Sequence, residues 1–278
     1  MLWSTRVFGI QMEPSFLYLL LYGIVTASAT ILGGYVLFPT GIYKHYKKLL
    51  KYILSLGAGF MLAITFVEIL PKTIGLWTAG TTQEIPEALF WPMFLLLGGY
   101  LLTQFFEHTI APHFHLGEEV HPDHKLSTSS AYTAIGGLLI HAFFDGVSIS
   151  AANQVDAKLG LLMFLAVFLH KFPEGFTIAS MILAADKGFR DVLMATSIVG
   201  AVTLAGVIGF YFLGANLNSA VAYALPLAGG VTLYVAASDL IPEVNHHAGR
   251  NPLVSLSVFA GVALFFGLHY LLHAVTGG

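Results

Sequence analysis

Two short stretches carry side chains that could hold a metal ion: HAFFDGVSIS, residues 141–150, and HKFPEGFTIA, residues 170–179. Each sets a histidine four residues before an acid, His141 with Asp145 and His170 with Glu174, and each goes on to glycine, a hydroxyl residue and isoleucine. At about 100° and 1.5 Å per residue, residues four apart share one helix face, one turn apart. The surroundings are apolar, and a carboxylate inside a bilayer is unfavourable by roughly 2.5–3.5 kcal/mol. Two carboxylates at one depth therefore need a compensating charge. A divalent cation offsets both at once, with imidazole nitrogens and carboxylate oxygens as natural ligands. The alternative is a structural polar network in which the acids are protonated or paired with Lys171.

The rest of the chain says what must position these residues. Hydrophobic residues make up 56% of the 278, charged residues 10%, and the mean hydropathy is +0.79, which is the composition of a polytopic membrane protein. Eight apolar segments are long enough to cross about 30 Å of hydrocarbon: 16–38, 52–70, 88–107, 131–150, 160–183, 192–214, 220–241 and 253–275. In lipid they must be helices, since an unpaired backbone amide there has no partner. The fold class expected is all-α, with His141 and His170 each ten residues into spans four and five. Those spans are antiparallel, so the two pairs meet near the middle of the bilayer.

Charge sets the orientation. Lys44, Lys47, Lys48, Lys51, Lys125, Lys187, Arg190 and Arg250 fall on one side, against Arg6, Lys72 and Lys158 on the other. Positive charge stays inside, which puts both termini outside. A net charge of −3 implies no nucleic-acid partner, and a chain with no cysteine has neither a disulfide framework nor a thiolate metal site. The first fifteen residues lack the order of a cleaved signal peptide and read as a short external leader, with Pro14 near the first turn of span one.

No stretch reads as a separate soluble domain, so 1–278 is expected to be one transmembrane unit with a histidine-bearing inner loop over about 108–130. GFMLAITFVEILP (59–71) in span two and GVTLYVAASDLIP (230–242) in span seven each run from a glycine to an acid nine residues on, then two aliphatics and a proline. The two spans run in opposite directions, the pattern of an inverted-repeat transporter with its site near the midplane. Pro173 removes one helical hydrogen bond and should kink span five at its ligands.

In HAFFDG, HKFPEG, GAGFMLAITFVEILP and AGGVTLYVAASDLIPE the sequence resembles the ZIP (Zrt-, Irt-like) transporters of divalent metal ions, and the resemblance runs through nearly the whole chain. It implies eight helices with both ends outside, a cytosolic loop after the third, and an elevator-like movement of four helices against the rest. It also implies that His141, Asp145, His170 and Glu174 are the transport-site ligands, and that Met61 lines the site. Many relatives hold a second metal beside the first. This chain instead has Ala142 and Lys171 at the positions after the histidines, and span six has no acid beyond Asp191 at its mouth. One metal is therefore expected, with Lys171 supplying the charge of the second.

By the same resemblance, Asp239 and Glu243, with His246 and His247 beyond, mark the exit to the cytosol, and Glu107 and His108 could complete it. Glu68 is either an entrance residue or an interfacial acid. The loop histidines His108, His113, His115, His121 and His124, with Glu118, Glu119 and Asp123, either collect metal weakly or form a hydrophilic linker. His269 and His273 are expected at the outer interface. The leading expectation is a carrier of Zn²⁺, or of Fe²⁺, Mn²⁺ or Cd²⁺, into the cytosol, with no organic cofactor, in a plasma or inner membrane, and with a homodimer left open. The runner-up is an intramembrane zinc hydrolase acting on a lipid amide, which would need an open coordination position for water.

Overall fold

The computed structural model describes residues 5–7, 10–12, 14–36, 40–79, 84–109, 128–216, 220–242, 245 and 251–276. Apart from a small antiparallel pairing of β1 (Thr5–Val7) with β2 (Ile10–Met12), regular structure among them is helical. The helices are α1 (Pro14–Tyr35), α2 (Thr40–Ile64), α3 (Leu70–Thr78), α4 (Ile85–Thr109), α5 (Thr128–Val155), α6 (Ala157–Ala184), α7 (Phe189–Asn216), α8 (Ala220–Tyr234) and α9 (Pro252–Thr276). Eight candidate membrane spans result, because α2 and α3 form one continuous rod and α8 is lengthened by the turn that follows it.

Both composite spans contain a wide π turn, Thr65–Ile69 between α2 and α3 and Val235–Leu240 after α8. In each, the residue closing the turn donates its N–H five residues back, Leu70 to the Thr65 carbonyl and Ile241 to that of Ala236. Each is followed at once by a proline, Pro71 or Pro242, which has no N–H to give. Glu68 and Asp239 sit inside the two turns, so the two similar segments share a backbone irregularity as well as a sequence.

Packing sorts the spans into two groups. In the first, α5 lies along α7, and α1 lies along α6 and α7; in the second, α2 packs on α9 and α4 on α8. The tightest approaches within each group go through paired glycines. A Cβ at Gly33 would run into the Phe172 carbonyl and one at Gly175 into that of Thr30, joining α1 to α6; Gly146 and Gly206 do the same for α5 and α7. In the second group Gly59 and Gly261 bring α2 and α9 together, and Gly99 and Gly230 join α4 to α8. Small residues let helix backbones touch where lipid supplies no hydrophobic drive between helices. Between the groups the seams run along α5–α8 and α2–α6. There a Cβ at Gly57 would still sit at ordinary van der Waals distance, 3.5 Å, from the Leu169 side chain.

Helices α5 and α6 lie at the centre, with two-thirds of their spans buried, whereas α4 and α9 present most of their surface outward. Phe90, Trp91, Phe94, Leu97 and Leu101 form an exposed stripe on α4, as a lipid-facing helix requires. Several buried hydroxyls are satisfied within their own helices: Thr26, Thr65, Thr103, Thr196 and Thr232 each donate to the carbonyl four residues back.

Candidate metal centre

The site is built by the α5–α6 hairpin. Asp156 is the single non-helical residue between the two helices, and its side chain caps α6 by accepting the Lys158 N–H at 2.9 Å. Helix α6 continues on both sides of Pro173. The glycine after each acid seats that turn on a neighbour, Gly146 on α7 at Thr203 and Gly175 on α1 at Thr30. The acids are thus held where their helices meet the rest of the first group.

His141, Asp145, His170 and Glu174 are all buried, and one donor atom from each lies within 4.8 Å of the others. Asp145 Oδ2 is the hub, 3.2 Å from His170 Nε2 and 3.3 Å from His141 Nε2, while Glu174 Oε2 is 3.9 Å from His141 Nε2. The two imidazole centroids are 5.5 Å apart. His170 Nδ1 lies 3.2 Å from the Ala166 carbonyl, a contact that fixes the ring with Nε2 toward the acids. Glu174 Oε1 is buried and makes no hydrogen bond among the described residues.

Lys171 lies within ion-pair reach of the acids, as expected of the cation beside the site. Its ammonium lies 2.8 Å from Asp145 Oδ2 and 2.7 Å from Glu174 Oε2, and the side chain is fully buried. It therefore bonds the same two oxygens that face the histidines. With neutral imidazoles the cluster carries one net negative charge, in surroundings that disfavour it. A divalent cation fits this donor set, two nitrogens and two carboxylates in near-tetrahedral number, if the ammonium gives way.

The other residues singled out in the sequence fall in different places. Ala142 is buried and belongs to an apolar cluster with Ile178, Ala179, Ile182 and Val199. Met61 is buried in the main core together with Leu162, Met163 and Ala166 of α6. Asp239 is half-buried in the second π turn. His108 is exposed near the end of α4, where its Nδ1 lies 3.2 Å from the Tyr234 hydroxyl; Tyr100 and Ser238 hydrogen-bond nearby at 2.6 Å. Glu243, His246, His247 and the loop histidines from His113 to His124 lie outside the described residues, as does the side chain of Glu107. A cavity of about 10 Å³, room for one water, sits in the α4–α5 seam against His141, Thr103 and Phe106.

At the opposite end Glu68, rather than standing alone at an interface, is tied into a chain of charges. Its Oε1 lies 2.6 Å from His269 Nδ1, and its Oε2 is 3.6 Å from Lys72. Lys72 in turn bonds Asp156. Burial would raise the Asp156 carboxyl, but the bonds from Lys72 and from the Lys158 N–H, with the charges of both lysines, hold it below the ordinary carboxylate range. Sequence reading missed this chain, because its members come from positions 68, 72, 156 and 269. Two local signals were present, the i,i+4 spacing of Glu68 and Lys72 and Asp156 as a helix cap just ahead of an apolar run.

Comparison with known proteins agrees with this architecture. A profile of the family described as ZIP Zinc transporter matches residues 112–269, more than half of the chain and including both ligand helices. Zinc transporter ZIP9 of Micropogonias undulatus is 30% identical over 187 residues, covering 62% of this chain and 59% of its own length; ZIP9 of Xenopus tropicalis is 26% identical over 54% and 51%. This chain thus spans only a little over half of those relatives. Zinc transporter ZupT of Escherichia coli O1:K1 / APEC is 28% identical over 248 residues, 86% of this chain and 93% of its own. With the eight spans, the paired histidine–acid helices and the profile match taken together, the chain belongs to the ZIP zinc transporter family.

Proposed function

We propose that the protein carries divalent metal ions, zinc above all, across the membrane toward its lysine-rich face, through a single site formed by His141, Asp145, His170 and Glu174. The observation that carries this is the convergence of four buried donors on a hub oxygen with a lysine as counter-ion. The metal is cargo, so the set must bind and release it. Lys171 serves both steps: it neutralises charge in the empty carrier and competes for Asp145 Oδ2 and Glu174 Oε2 in the loaded one. Borderline nitrogen and oxygen ligands accept Fe²⁺, Mn²⁺ and Cd²⁺ as well, while intrinsic affinity favours zinc among the common ions. The relatives' names as zinc transporters support the same substrate.

The movement we infer is of the elevator type. Glycine-locked backbones within each group, and side-chain seams between them, support a rigid unit of α1, α5, α6 and α7 sliding against α2–α3, α4, α8 and α9. The matching π turns in two oppositely directed spans support an inverted repeat, and the cation bias supports both termini outside. Glu68 stands on the entrance side. Release would run past the α4–α5 seam to His108 and Asp239, with Glu107 and Glu243 assigned to the same path by the family resemblance alone, and Met61 flanks the ligand helices from α2. The whole chain acts as one unit in a plasma or inner membrane. Zinc uptake into proteoliposomes, with and without a pH gradient, tests the reading. Metal-dependent uptake supports it; hydrolysis of a lipid amide without uptake would replace it by the hydrolase.

A further inference from the structure

We propose that Lys72 and Asp156 form an outer latch, an ion pair that holds the tip of the α5–α6 hairpin against α3 and must part before the metal ligands can be reached from that side. The proposal rests on the transport reading and on the orientation set by the lysine-rich face. Asp156 stands at the tip of the hairpin that carries all four ligands, and Lys72 stands on the other helix group, one turn beyond Glu68. The pair therefore crosses the seam between two groups that the glycine contacts hold together internally. Behind Lys72 the charge chain continues through Glu68 to His269 on α9, so the lysine is braced from its own side.

Beneath the pair lies a cavity of about 220 Å³, lined by Glu68, Lys72, Asp156, Lys158, Leu162 and His269. Leu162, one of the lining residues, is only 1% exposed. It precedes His170 by eight residues on α6, about 12 Å along the helix. The cavity thus lies over the shortest route along α6 to the ligands, and the latch crosses it. The strength suits the task. Lys72 and Asp156 keep 27% and 35% of their side-chain surface exposed, so their attraction is modest and reversible, whereas the buried Lys171 pairs expose at most 5%.

Because the chain contains no cysteine, a single cysteine replacing Leu162 reports the opening without background. The experiment measures its labelling by a membrane-impermeant maleimide on intact cells expressing the full chain. Asp156→Asn removes the charge and retains an efficient helix cap, and Lys72→Gln removes the other partner. Each should speed labelling roughly threefold to fivefold, the population shift that a partly exposed ion pair can hold, and Lys72→Arg should keep the slow rate. Unchanged labelling in both Asn and Gln variants, or equally fast labelling with Lys72→Arg, would overturn the latch. A cysteine replacing Arg190 should label only after permeabilisation; labelling in intact cells would overturn the outer placement. Zinc uptake measured in the same cells tells loss of the transport reading apart from loss of the latch.

Discussion

Replacing Lys171 by methionine keeps the length of the side chain and removes its charge, leaving Asp145 and Glu174 facing each other without a cation. The ammonium lies 2.8 and 2.7 Å from their oxygens. At an effective dielectric constant of about 20, each contact corresponds to a Coulomb attraction of about 6 kcal/mol. Dehydration of three buried charges offsets most of this. Removal of one partner of a buried pair typically costs about 3–5 kcal/mol, and protonation of one carboxylate brings the expected loss toward the lower figure. The same ammonium competes with an incoming metal for both oxygens, so the metal should gain what the empty protein loses. We expect Lys171→Met to lower the unfolding temperature of the chelator-treated protein in detergent, to bind zinc at least about tenfold more tightly, about 1.4 kcal/mol, and to recover most of its stability on adding zinc. Thermal unfolding with and without zinc, together with competition against a fluorescent chelator, measures all three. The wild type should titrate to one metal per chain. An apo variant as stable as the wild type with unchanged affinity would refute the counter-ion argument, and two adjacent metals in the wild type would refute the single site.

His170→Ala and Glu174→Ala should each abolish zinc uptake in proteoliposomes while the protein remains membrane-inserted; near-normal transport by either removes it from the ligand set. Protons compete with the metal for imidazole and carboxylate, so zinc affinity should fall on acidification from about pH 8 to 5, and a flat titration speaks against histidine ligation. Gly175→Ala would push a methyl into the Thr30 carbonyl and should destabilise by about 1–3 kcal/mol and slow transport, whereas Gly98→Ala, which meets open space, should be silent in both assays. The depressed Asp156 carboxyl contributes stability that is present above the unfolded-chain value near 3.9 and lost as pH falls through the lower folded value. Labelling of the Leu162→Cys reporter, taken relative to an exposed cysteine at the same pH because the reactive thiolate fraction falls with acid, should therefore stay slow at about pH 5. A relative rise already there would show that the tie does not depend on that carboxylate.

The parts of this protein that were legible in advance are those written locally. Spans follow from runs of apolar residues, and 131–150 and 160–183 lie inside α5 and α6 with a few residues to spare. The His–acid spacing is a helical repeat, so the convergence of His141, Asp145, His170 and Glu174 could be reasoned from register and depth alone. The pairing of Lys171 with an acid followed from charge balance, but that its ammonium reaches both acids at once did not. One residue from His170 it starts about 100° around the helix, yet four methylenes let the ammonium curl back to both acids, a choice made by burial rather than by backbone position. Helix α2 runs back to Thr40 through a lysine-rich stretch that hydropathy places outside the membrane, because hydropathy detects the bilayer and not the helix. The charge chain through Glu68 joins three separate segments, and the division into two packed groups depends on which glycine meets which carbonyl. Neither is recorded in any single stretch of chain.

Seen along its axis, a π turn is an α-helix with one residue too many. Deleting the surplus residue would leave the faces beyond it unchanged. Straightening Thr65–Ile69 into ordinary helix with every residue kept would instead restore the rotation that the wide turn absorbs, and at 3.6 residues per turn everything beyond would swing by about 100°. Lys72 would then face away from Asp156, and Trp77, whose indole N–H now donates to the Ala222 carbonyl at 3.0 Å, would lose its partner on α8. The same straightening of Val235–Leu240 would turn Ile241 and Pro242 by the same angle. At these two points the surplus residue acts as a phase adjuster, letting one half of a span face lipid or core independently of the other half. Each falls just before a proline, where the ladder of amides is already broken and the change of phase disturbs least.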